Sequence, residues 1–308
     1  MAGQKWTAND IPDQSDKVII VTGANSGLGY ETSLALARKG AHVVLACRNR
    51  QKGETAVTQI RQQVPDASLE LMALDLADLS SIRQFAAEFQ ANHDRLDVLI
   101  NNAGIMAIPY RQTADGFEMQ FGVNHLGHFA LTGRLLDLLT QTANSRVVTV
   151  SSNMHWRGKI DFDNLNGERD YSKWGAYSAS KLANLLFAYE LQRRLAAAGY
   201  DTSSVAAHPG YAATDLQAKT GSRLQTMVMR FSNAVFAQSA ARGALPTLYA
   251  AVMPNARGGG YYGPGGLGEM RGHPVKVQSS GASHDGAAAV KLWQVSEQLT
   301  GVAYLDNL

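Results

Sequence analysis

The chain has 308 residues, of which 45% are hydrophobic and 18% charged, a balance typical of a globular α/β protein with a sizeable core. Its formal net charge of +2 and its dispersed basic residues exclude a dedicated nucleic-acid surface. A single cysteine excludes an internal disulfide framework, and no apolar run has the length of a membrane span or the character of a signal peptide, so we expect a cytoplasmic protein.

The first predicted elements form a strand, a glycine turn and a helix. Residues 1–16 are polar and are predicted to be a surface lead-in. Residues 18–21 form a β-branched block without polar alternation, which is typical of a strand covered by helices on both faces. The turn that follows contains Gly23, Gly27 and Gly29. Small and apolar residues at helical spacing come after it.

The turn has the spacing TGxxxGxG and opens a helix directly after a buried strand. The first turn of a helix offers unpaired N–H groups and a partial positive charge, and glycines let phosphates approach the backbone. For this stretch alone, a bare glycine turn is the alternative. We predict a dinucleotide diphosphate site, formed by the turn residues Gly23, Asn25, Ser26, Gly27, Leu28 and Gly29.

The second predicted strand, residues 41–47, bears on the choice of cofactor. In dinucleotide-binding folds an acidic residue about 20 positions beyond the glycine turn accepts the ribose 2′-hydroxyl. Counting from Gly27, that position is Cys47, and Arg48 follows it. No carboxylate there repels a 2′-phosphate, and a guanidinium can bind one. This predicts NADP(H) rather than NAD(H), the alternative being an ordinary solvated Arg48.

The next segments lead to the middle of the predicted sheet. Residues 51–63 have the pattern of a surface helix, 69–74 of a strand and 80–92 of a second helix. One interpretation of Asp75 is that it belongs to the N-cap region of this second helix. Residues 96–100 form another apolar run, which ends at the sequence NNAG. Ligands of open α/β sheets bind at the carboxyl ends of strands, so we expect this sequence to border the cofactor.

Residues 115–140 have apolar positions at helical spacing, with Asn124 among them. Asparagine is unfavourable inside a helix, so its presence there needs a reason. His125 and His128 lie three positions apart, a spacing that some metal sites use. No third ligand is evident, and histidine is more often a core or interface residue, so we expect no metal site.

The remaining segments complete the predicted fold. Strands are predicted at 146–150, 203–207 and 261–262, and helices at 176–198 and 290–299. Residues 153–175 are polar and are expected to pass over the active site, while the apolar stripe within 216–236 either lines a substrate pocket or packs in the core. Together these elements predict one domain, 1–308, with a Rossmann-type doubly wound parallel sheet of about seven strands and helices on both faces.

The motifs, taken together, resemble those of the short-chain dehydrogenase/reductase family. TGxxxGxG, NNAG, Asn124, Ser152 and YxxxK at Tyr177–Lys181 occur in the family's order and span most of the chain. The sequences ACRN at 46–49, NHLGHF at 124–129 and KLANLLF at 181–187 most resemble its retinol dehydrogenase-like branch. Members of that branch are often membrane-anchored, and the missing N-terminal apolar anchor departs from it.

The resemblance implies an NADP(H)-dependent oxidoreductase that moves a hydride between nicotinamide and a carbonyl or alcohol carbon of an apolar small molecule. It implies that Ser152 hydrogen-bonds the substrate oxygen, that Asn124 kinks its helix and holds a water, and that Thr214 holds the nicotinamide carboxamide. Asp75 would meet the adenine amino group. The other cofactor contacts that it implies are Leu76, Asn102, Ala103, Gly104, Tyr177, Lys181, Pro209 and Gly210.

Two departures from the family pattern bear on these roles. Ser26 stands where related NADP sites have a basic residue. Ser152 precedes Tyr177 by 25 positions, about twice the usual separation, so choosing Ser152 over Ser151 requires that 153–175 be an insertion.

Tyr177 and Lys181 lie four residues apart on a predicted helix and share a face. A cation about 4 Å from a phenol, at an effective dielectric near 20, is worth roughly 4 kcal/mol or about three pKa units. We therefore predict that Lys181 lowers the pKa of Tyr177 toward neutrality and that Tyr177 transfers the proton.

Two alternatives stay open beside the enzyme. The chain could be a catalytically idle NADP(H)-binding sensor or scaffold of the same fold, or a peripheral membrane protein that uses residues 216–236 as an interfacial helix. Residues 153–175 and 211–240 are expected to determine the substrate. Many relatives are dimers or tetramers through the helices that carry Asn124 and Tyr177, so a homodimer or homotetramer is a further expectation.

Overall fold

One eight-stranded sheet organises the protein in the computed structural model, which describes residues 5–211 and 239–305. Its spatial order is β3-β2-β1-β4-β5-β6-β7-β8, and every neighbouring pair is parallel except β7 and β8. The strands are β1 (Val18–Thr22), β2 (His42–Cys47), β3 (Leu69–Ala73), β4 (Val98–Asn101), β5 (Arg146–Val150), β6 (Ser203–Ala207), β7 (Tyr261–Pro264) and β8 (Pro274–Lys276).

Helices cover both faces of this sheet. Because successive side chains of a strand point to opposite faces, Ile19 packs in one hydrophobic cluster and Ile20 in another. The α-helices in the described ranges are α1 (Gly27–Ala37), α2 (Arg50–Gln63), α3 (Leu79–Asn92), α4 (Met119–Phe121), α5 (Gly127–Arg134), α6 (Leu136–Gln141), α7 (Lys173–Ala197), α8 (Ala240–Val252) and α9 (Gly286–Thr300). Helices α1, α2 and α8 contribute to the first cluster, and α3, α5, α7 and α9 to the second.

The predicted α/β fold with a doubly wound, mostly parallel sheet is confirmed, but the strand count is eight rather than about seven. The additional strand, β8, has three residues and pairs antiparallel with β7. Only the first of its residues is buried, so it lacks the continuous apolar run that identifies a central strand.

The predicted helix at 115–140 is divided in the structure. Helix α4 leads into a single π-helical turn, Gly122–Leu126, and then into α5 and α6. The π-helical turn contains Asn124, so the predicted local distortion of the helix is observed at that residue.

Residues 153–175 begin with the short 3₁₀ helix Asn153–Arg157 and end in the first turn of α7. Phe162 and Leu165 pack against a cluster that includes Phe117 and Phe121. The Tyr171 hydroxyl donates to the carbonyl of Ile108, 3.0 Å away. This segment is therefore anchored to the chain that follows β4.

No helix in the described part of the chain is long and apolar enough to cross a bilayer. Thr214, the stripe at 216–236 and most of the predicted substrate segment 211–240 lie outside the described residues.

Candidate active site

The glycine turn lies between the carboxyl end of β1 and the start of α1. Gly23 and Gly27 have φ values of +66° and +55°, which glycine adopts without the strain that other residues incur. At Gly29 a Cβ atom would lie 2.3 Å from the carbonyl oxygen of Gly23 and 2.7 Å from Asn102 Nδ2. The turn is therefore closed onto itself by a contact that only glycine permits.

A cavity of about 470 Å³ opens above this turn at the carboxyl ends of the strands. Twelve of the predicted cofactor residues line it together: Gly23, Asn25, Ser26, Gly27, Leu28, Gly29, Arg48, Asp75, Leu76, Asn102, Ala103 and Gly104. The cavity is also lined by residues to which the sequence motifs gave no role, among them Asn49, Lys52, Met106, Ile108, Arg111, Met119 and Val123. Lys52 lies in the first turn of α2, and its position just after the end of β2 is the signal that could have identified it.

Arg48 stands at the rim of this cavity with 64% of its side chain exposed, and its Nη1 lies 3.9 Å from Asp75 Oδ1. Asp75 Oδ1 also accepts a hydrogen bond from the N–H of Ala77, 3.0 Å away, which holds the turn before α3. Asp75 thus has the turn-forming role of the alternative interpretation and also faces the cavity. Cys47, by contrast, is buried, and burial raises the pKa of its thiol to about 12.

Thr22, the last residue of β1, links the glycine turn to the NNAG segment. Its hydroxyl accepts the N–H groups of Asn102 and Ala103, both at 2.9 Å. Its oxygen also lies 3.0 Å from His128 Nε2, while Nδ1 of the same ring lies 3.0 Å from the carbonyl oxygen of Asn124. Because that carbonyl can only accept, Nδ1 carries the proton and the Thr22 hydroxyl donates to Nε2.

Burial lowers the pKa of His128 to about 4 and that of His125 to about 3, so both rings are neutral near pH 7. His125 lies among Phe121, Phe129 and Phe187, with its Nε2 3.0 Å from Ser296 Oγ. The two histidines therefore brace the helix around Asn124 from within the core.

The side chain of Asn124 is engaged with the protein at both ends. Its Oδ1 accepts the N–H of Ile105 at 2.8 Å, and its Nδ2 donates to the Ile105 carbonyl at 3.0 Å and to Ser180 Oγ at 2.9 Å. The π-helical turn aims the amide at the segment after NNAG. Asn124 consequently fixes the position of this segment relative to α7.

Ser151 and Ser152 have different partners. Ser151 is buried and donates to the carbonyl of Lys181 at 2.8 Å, so it joins β5 to α7. Ser152 Oγ accepts the N–H of Met154 at 3.2 Å, and its hydroxyl is close enough to the Tyr177 hydroxyl to lower the pKa of that phenol. The pairing with Tyr177 is the geometry that the choice of Ser152 requires, and it is made across the predicted insertion.

Tyr177 and Lys181 share a face of α7, and both are almost fully buried. Lys181 Nζ lies 5.8 Å from the centre of the Tyr177 ring and donates to the carbonyl of Val150 at 3.0 Å. A Cβ atom on Gly104 would lie 3.5 Å from this Nζ and 3.2 Å from Asn124 Oδ1. The ammonium thus adjoins the cavity at Gly104.

The prediction that the pKa of Tyr177 is lowered is wrong for this arrangement. Burial raises the pKa of Tyr177, and the hydrogen bond from Ser152 offsets only part of that effect. Burial also lowers the pKa of Lys181 to about 8. The prediction counted the attraction between phenolate and ammonium but omitted the cost of removing both groups from water.

Pro209 and Gly210 follow β6 and lie outside the cavity lining. Gly210 has a φ of +67°, and its N–H donates to His208 Nδ1 at 3.2 Å. The opposite ring nitrogen of His208 lies 2.9 Å from Glu269 Oε2, which ties this loop to the β7–β8 hairpin.

The site's residues fit a nicotinamide dinucleotide. The closed glycine turn, which a Cβ at Gly29 would disrupt, places the N-terminal end of α1 at the cavity. Arg48 and Lys52 supply positive charge where the cavity meets β2 and α2. The glycine turn and the start of α1 could hold the diphosphate, and Arg48 and Lys52 could hold a phosphate on the ribose.

Comparison with known proteins gives consistent results. The family model described as short chain dehydrogenase matches residues 17–225. Retinol dehydrogenase 14 of Mus musculus is 42% identical over 301 residues, covering 93% of this chain and 86% of the relative. Polyprenol dehydrogenase of Danio rerio is 40% identical over 298 residues, covering 95% and 89%. A crystal structure of an uncharacterized protein from Mycobacterium Paratuberculosis has a TM-score of 0.81 and 45% identity, covering 98% of this chain and 99% of that one.

Proposed function

This chain belongs to the short-chain dehydrogenase family, and we propose that it is an NADP(H)-dependent oxidoreductase that interconverts an apolar alcohol and its carbonyl compound. The family supports an oxidoreductase acting on alcohols or carbonyls. The observation that carries the acid–base chemistry is the proximity of Ser152 to Tyr177, which lies one helical turn before Lys181 at the Gly104 side of the cavity.

The preference for NADP(H) rests on charge at the end of β2. Cys47 replaces the carboxylate that would repel a 2′-phosphate, and Arg48 and Lys52 face the cavity beside it. The Arg48 guanidinium is 3.9 Å from Asp75, too far for a short hydrogen bond, and its exposed side chain can turn toward a phosphate. A bidentate contact of this kind distinguishes the two cofactors.

The apolar substrate class rests on the far wall of the cavity. Beyond Gly104 the lining consists mainly of the apolar residues Ile105, Met106, Ile108, Met119 and Val123. Methionine side chains adapt their shape to a ligand more readily than branched side chains do. The names of two relatives, a retinol and a polyprenol dehydrogenase, denote isoprenoid alcohols, and we extend that substrate class to this chain.

In the proposed mechanism Tyr177 is the proton donor in reduction and the acceptor in oxidation. Ser152 hydrogen-bonds the substrate oxygen and stabilises the charge that develops on it. Lys181, whose pKa of about 8 keeps it mostly protonated near pH 7, favours the phenolate form of Tyr177 when the proton leaves. The nicotinamide, when bound, supplies or accepts the hydride. Asn124 holds the Ile105 segment against α7, so that these groups keep their separation.

The test is a parallel titration with NADPH and NADH, followed by turnover measurements with isoprenoid and other apolar aldehydes and ketones. We expect tighter binding of NADPH and oxidation of NADPH with at least one apolar carbonyl compound. Tight NADPH binding without turnover across the panel would favour the idle sensor or scaffold instead. Equal binding of both cofactors would remove the role proposed for Arg48.

A further inference from the structure

A cluster of two histidines and a glutamate lies at the amino ends of the strands, opposite the candidate active site at their carboxyl ends. His42 is the first residue of β2, Glu70 is the second residue of β3, and His93 directly follows the last residue of α3. The pairing of Val43 with Leu69 and of Val44 with Glu70 brings the first two side chains together. Across residues 5–211 and 239–305, these three form the one such group of potential metal ligands.

We propose that His42, Glu70 and His93 bind a divalent transition-metal ion of the zinc class. One donor atom from each residue lies within 4.8 Å of the other two. His42 Nε2 is 3.4 Å and His93 Nε2 is 2.8 Å from Glu70 Oε2. In a tetrahedral zinc site with ligands at about 2.0–2.1 Å, donor atoms are roughly 3.3 Å apart, so small adjustments suffice.

The surroundings orient both imidazole rings toward the shared carboxylate. His42 Nδ1 lies 2.7 Å from Ser68 Oγ, which leaves Nε2 directed at Glu70. The ring of His93 stacks on Phe89, with 4.4 Å between centroids and 23° between planes. Histidine ligands of metals characteristically bond through one nitrogen to a second group that fixes the ring, as Ser68 does here.

Solvent access and ligand chemistry also suit a metal ion. The side chains are 29% exposed in His42, 31% in Glu70 and 16% in His93, so an ion can enter and water can complete its coordination. Two imidazoles and one carboxylate are a ligand set used for zinc with a fourth, open position. The ion would join the edge strand β3 to β2 and to the end of α3, and we expect it to stabilise the fold rather than to act in turnover.

The alternative is a cluster held only by hydrogen bonds, in which both rings share Glu70 Oε2. The two arrangements differ in an observable way, because only the metal site takes up an ion with fixed stoichiometry. The proposed site also differs from adventitious metal uptake by surface histidines, because such uptake would not depend on these three residues.

The experiment is a titration of tag-free, chelator-treated full-length protein with Zn²⁺ by calorimetry, and with Co²⁺ by visible absorption. We expect one ion per chain and a cobalt spectrum of low, near-tetrahedral coordination. Glu70→Gln and His93→Phe should lose this binding, the latter while keeping an aromatic ring on Phe89. Ser68→Ala, which retains all three ligands, should weaken the affinity about 10- to 100-fold.

His284→Phe is the matched control, since His284 is an exposed histidine stacked on Tyr189. It should bind zinc like the native protein. Circular dichroism establishes that each variant is folded, and Ser68→Ala gives a graded result if either ligand variant is not. Absence of one-to-one uptake by the native protein, or uptake unchanged by Glu70→Gln, His93→Phe and Ser68→Ala, would overturn the proposal.

Discussion

The polar groups at the two ends of the strands, here the carboxyl edge and the amino edge of the sheet, differ in what they contact. At the carboxyl edge, backbone N–H groups, glycines and the Arg48 side chain face a cavity, while Tyr177 and Lys181 are buried beside it. At the amino edge, charged groups pair with one another: Asp97 binds Lys17 and Arg95 at 3.0 and 2.7 Å.

In this sheet the groups that are available to a ligand and the groups that stabilise the fold lie at opposite ends of the strands. Polar groups directed at a cavity contribute little to folding but are available to a ligand, whereas groups paired within the protein stabilise the fold. Substitutions at the carboxyl edge should therefore change binding or turnover, and substitutions at the amino edge should change the free energy of unfolding.

The largest expected effect is the loss of turnover in Tyr177→Phe. Removing the hydroxyl eliminates the proposed proton donor, and general acid–base groups of this kind contribute about 100- to 10,000-fold. Steady-state kcat with NADPH and an apolar carbonyl compound measures the effect. Tyr189→Phe, which loses a hydroxyl bonded to Ser279, is the control and should retain activity. A Tyr177→Phe variant with native kcat would assign the proton to another group.

Gly29→Ala should affect folding as well as binding, although Gly29 lies at the carboxyl edge. Its Cβ would meet the carbonyl oxygen of Gly23 at 2.3 Å, so the turn must open. We expect loss of binding of both cofactors and about 1–3 kcal/mol of destabilisation, measured by fluorescence titration and urea unfolding. Gly281→Ala, where a Cβ would meet nothing within 4 Å, should leave both quantities near native values.

Arg48→Ala should change ligand binding and leave folding unchanged, because the Arg48 side chain is exposed. Loss of a charge-assisted contact with the 2′-phosphate should weaken NADPH binding about 10- to 100-fold and leave NADH binding unchanged. The ratio of the two dissociation constants measures this. Arg50→Ala, which removes an exposed arginine paired with Glu54, serves as control. Parallel weakening of both cofactors would contradict the assignment.

Asp97→Asn should have the smallest effect on binding and turnover, because it should act on stability alone. Burial favours the neutral carboxyl, but hydrogen bonds from Arg95, the N–H of Val18 and Lys17 hold the pKa of Asp97 below its usual range. Its stabilisation is therefore present above the unfolded-state pKa of about 3.9 and is lost as the pH falls through the lower folded-state value. Urea unfolding should show a loss of about 1–3 kcal/mol at pH 7 and a smaller loss at pH 3, with unchanged kcat. An equal loss at both pH values would exclude the ionised carboxylate as the cause.

The fold could be predicted in most of its parts because central parallel strands have apolar runs without alternation. The bounds expected for β5 and β6 agree with the structure, whereas β8 was missed because a short edge strand carries no such run. Helical spacing identified the region around Asn124 but not its division into segments, since periodicity does not record where backbone hydrogen bonds change register.

The candidate site was predictable where neighbours in space are neighbours in sequence. The glycine turn and the Tyr177–Lys181 pair follow from local periodicity. The contact between Ser152 and Tyr177 depends on how an intervening segment folds, and the direction of the Tyr177 pKa depends on burial, which a pattern of residue types does not specify. The cluster of His42, Glu70 and His93 has no short motif, because only strand pairing and the end of α3 bring it together.

The buried thiol of Cys47 has a practical consequence for work with this protein. It is the chain's only cysteine, and with a pKa of about 12 it offers almost no thiolate near neutral pH. The thiol of the folded protein should therefore resist alkylating reagents without added reductant. A cysteine introduced on the surface would be the single site that accepts a maleimide dye.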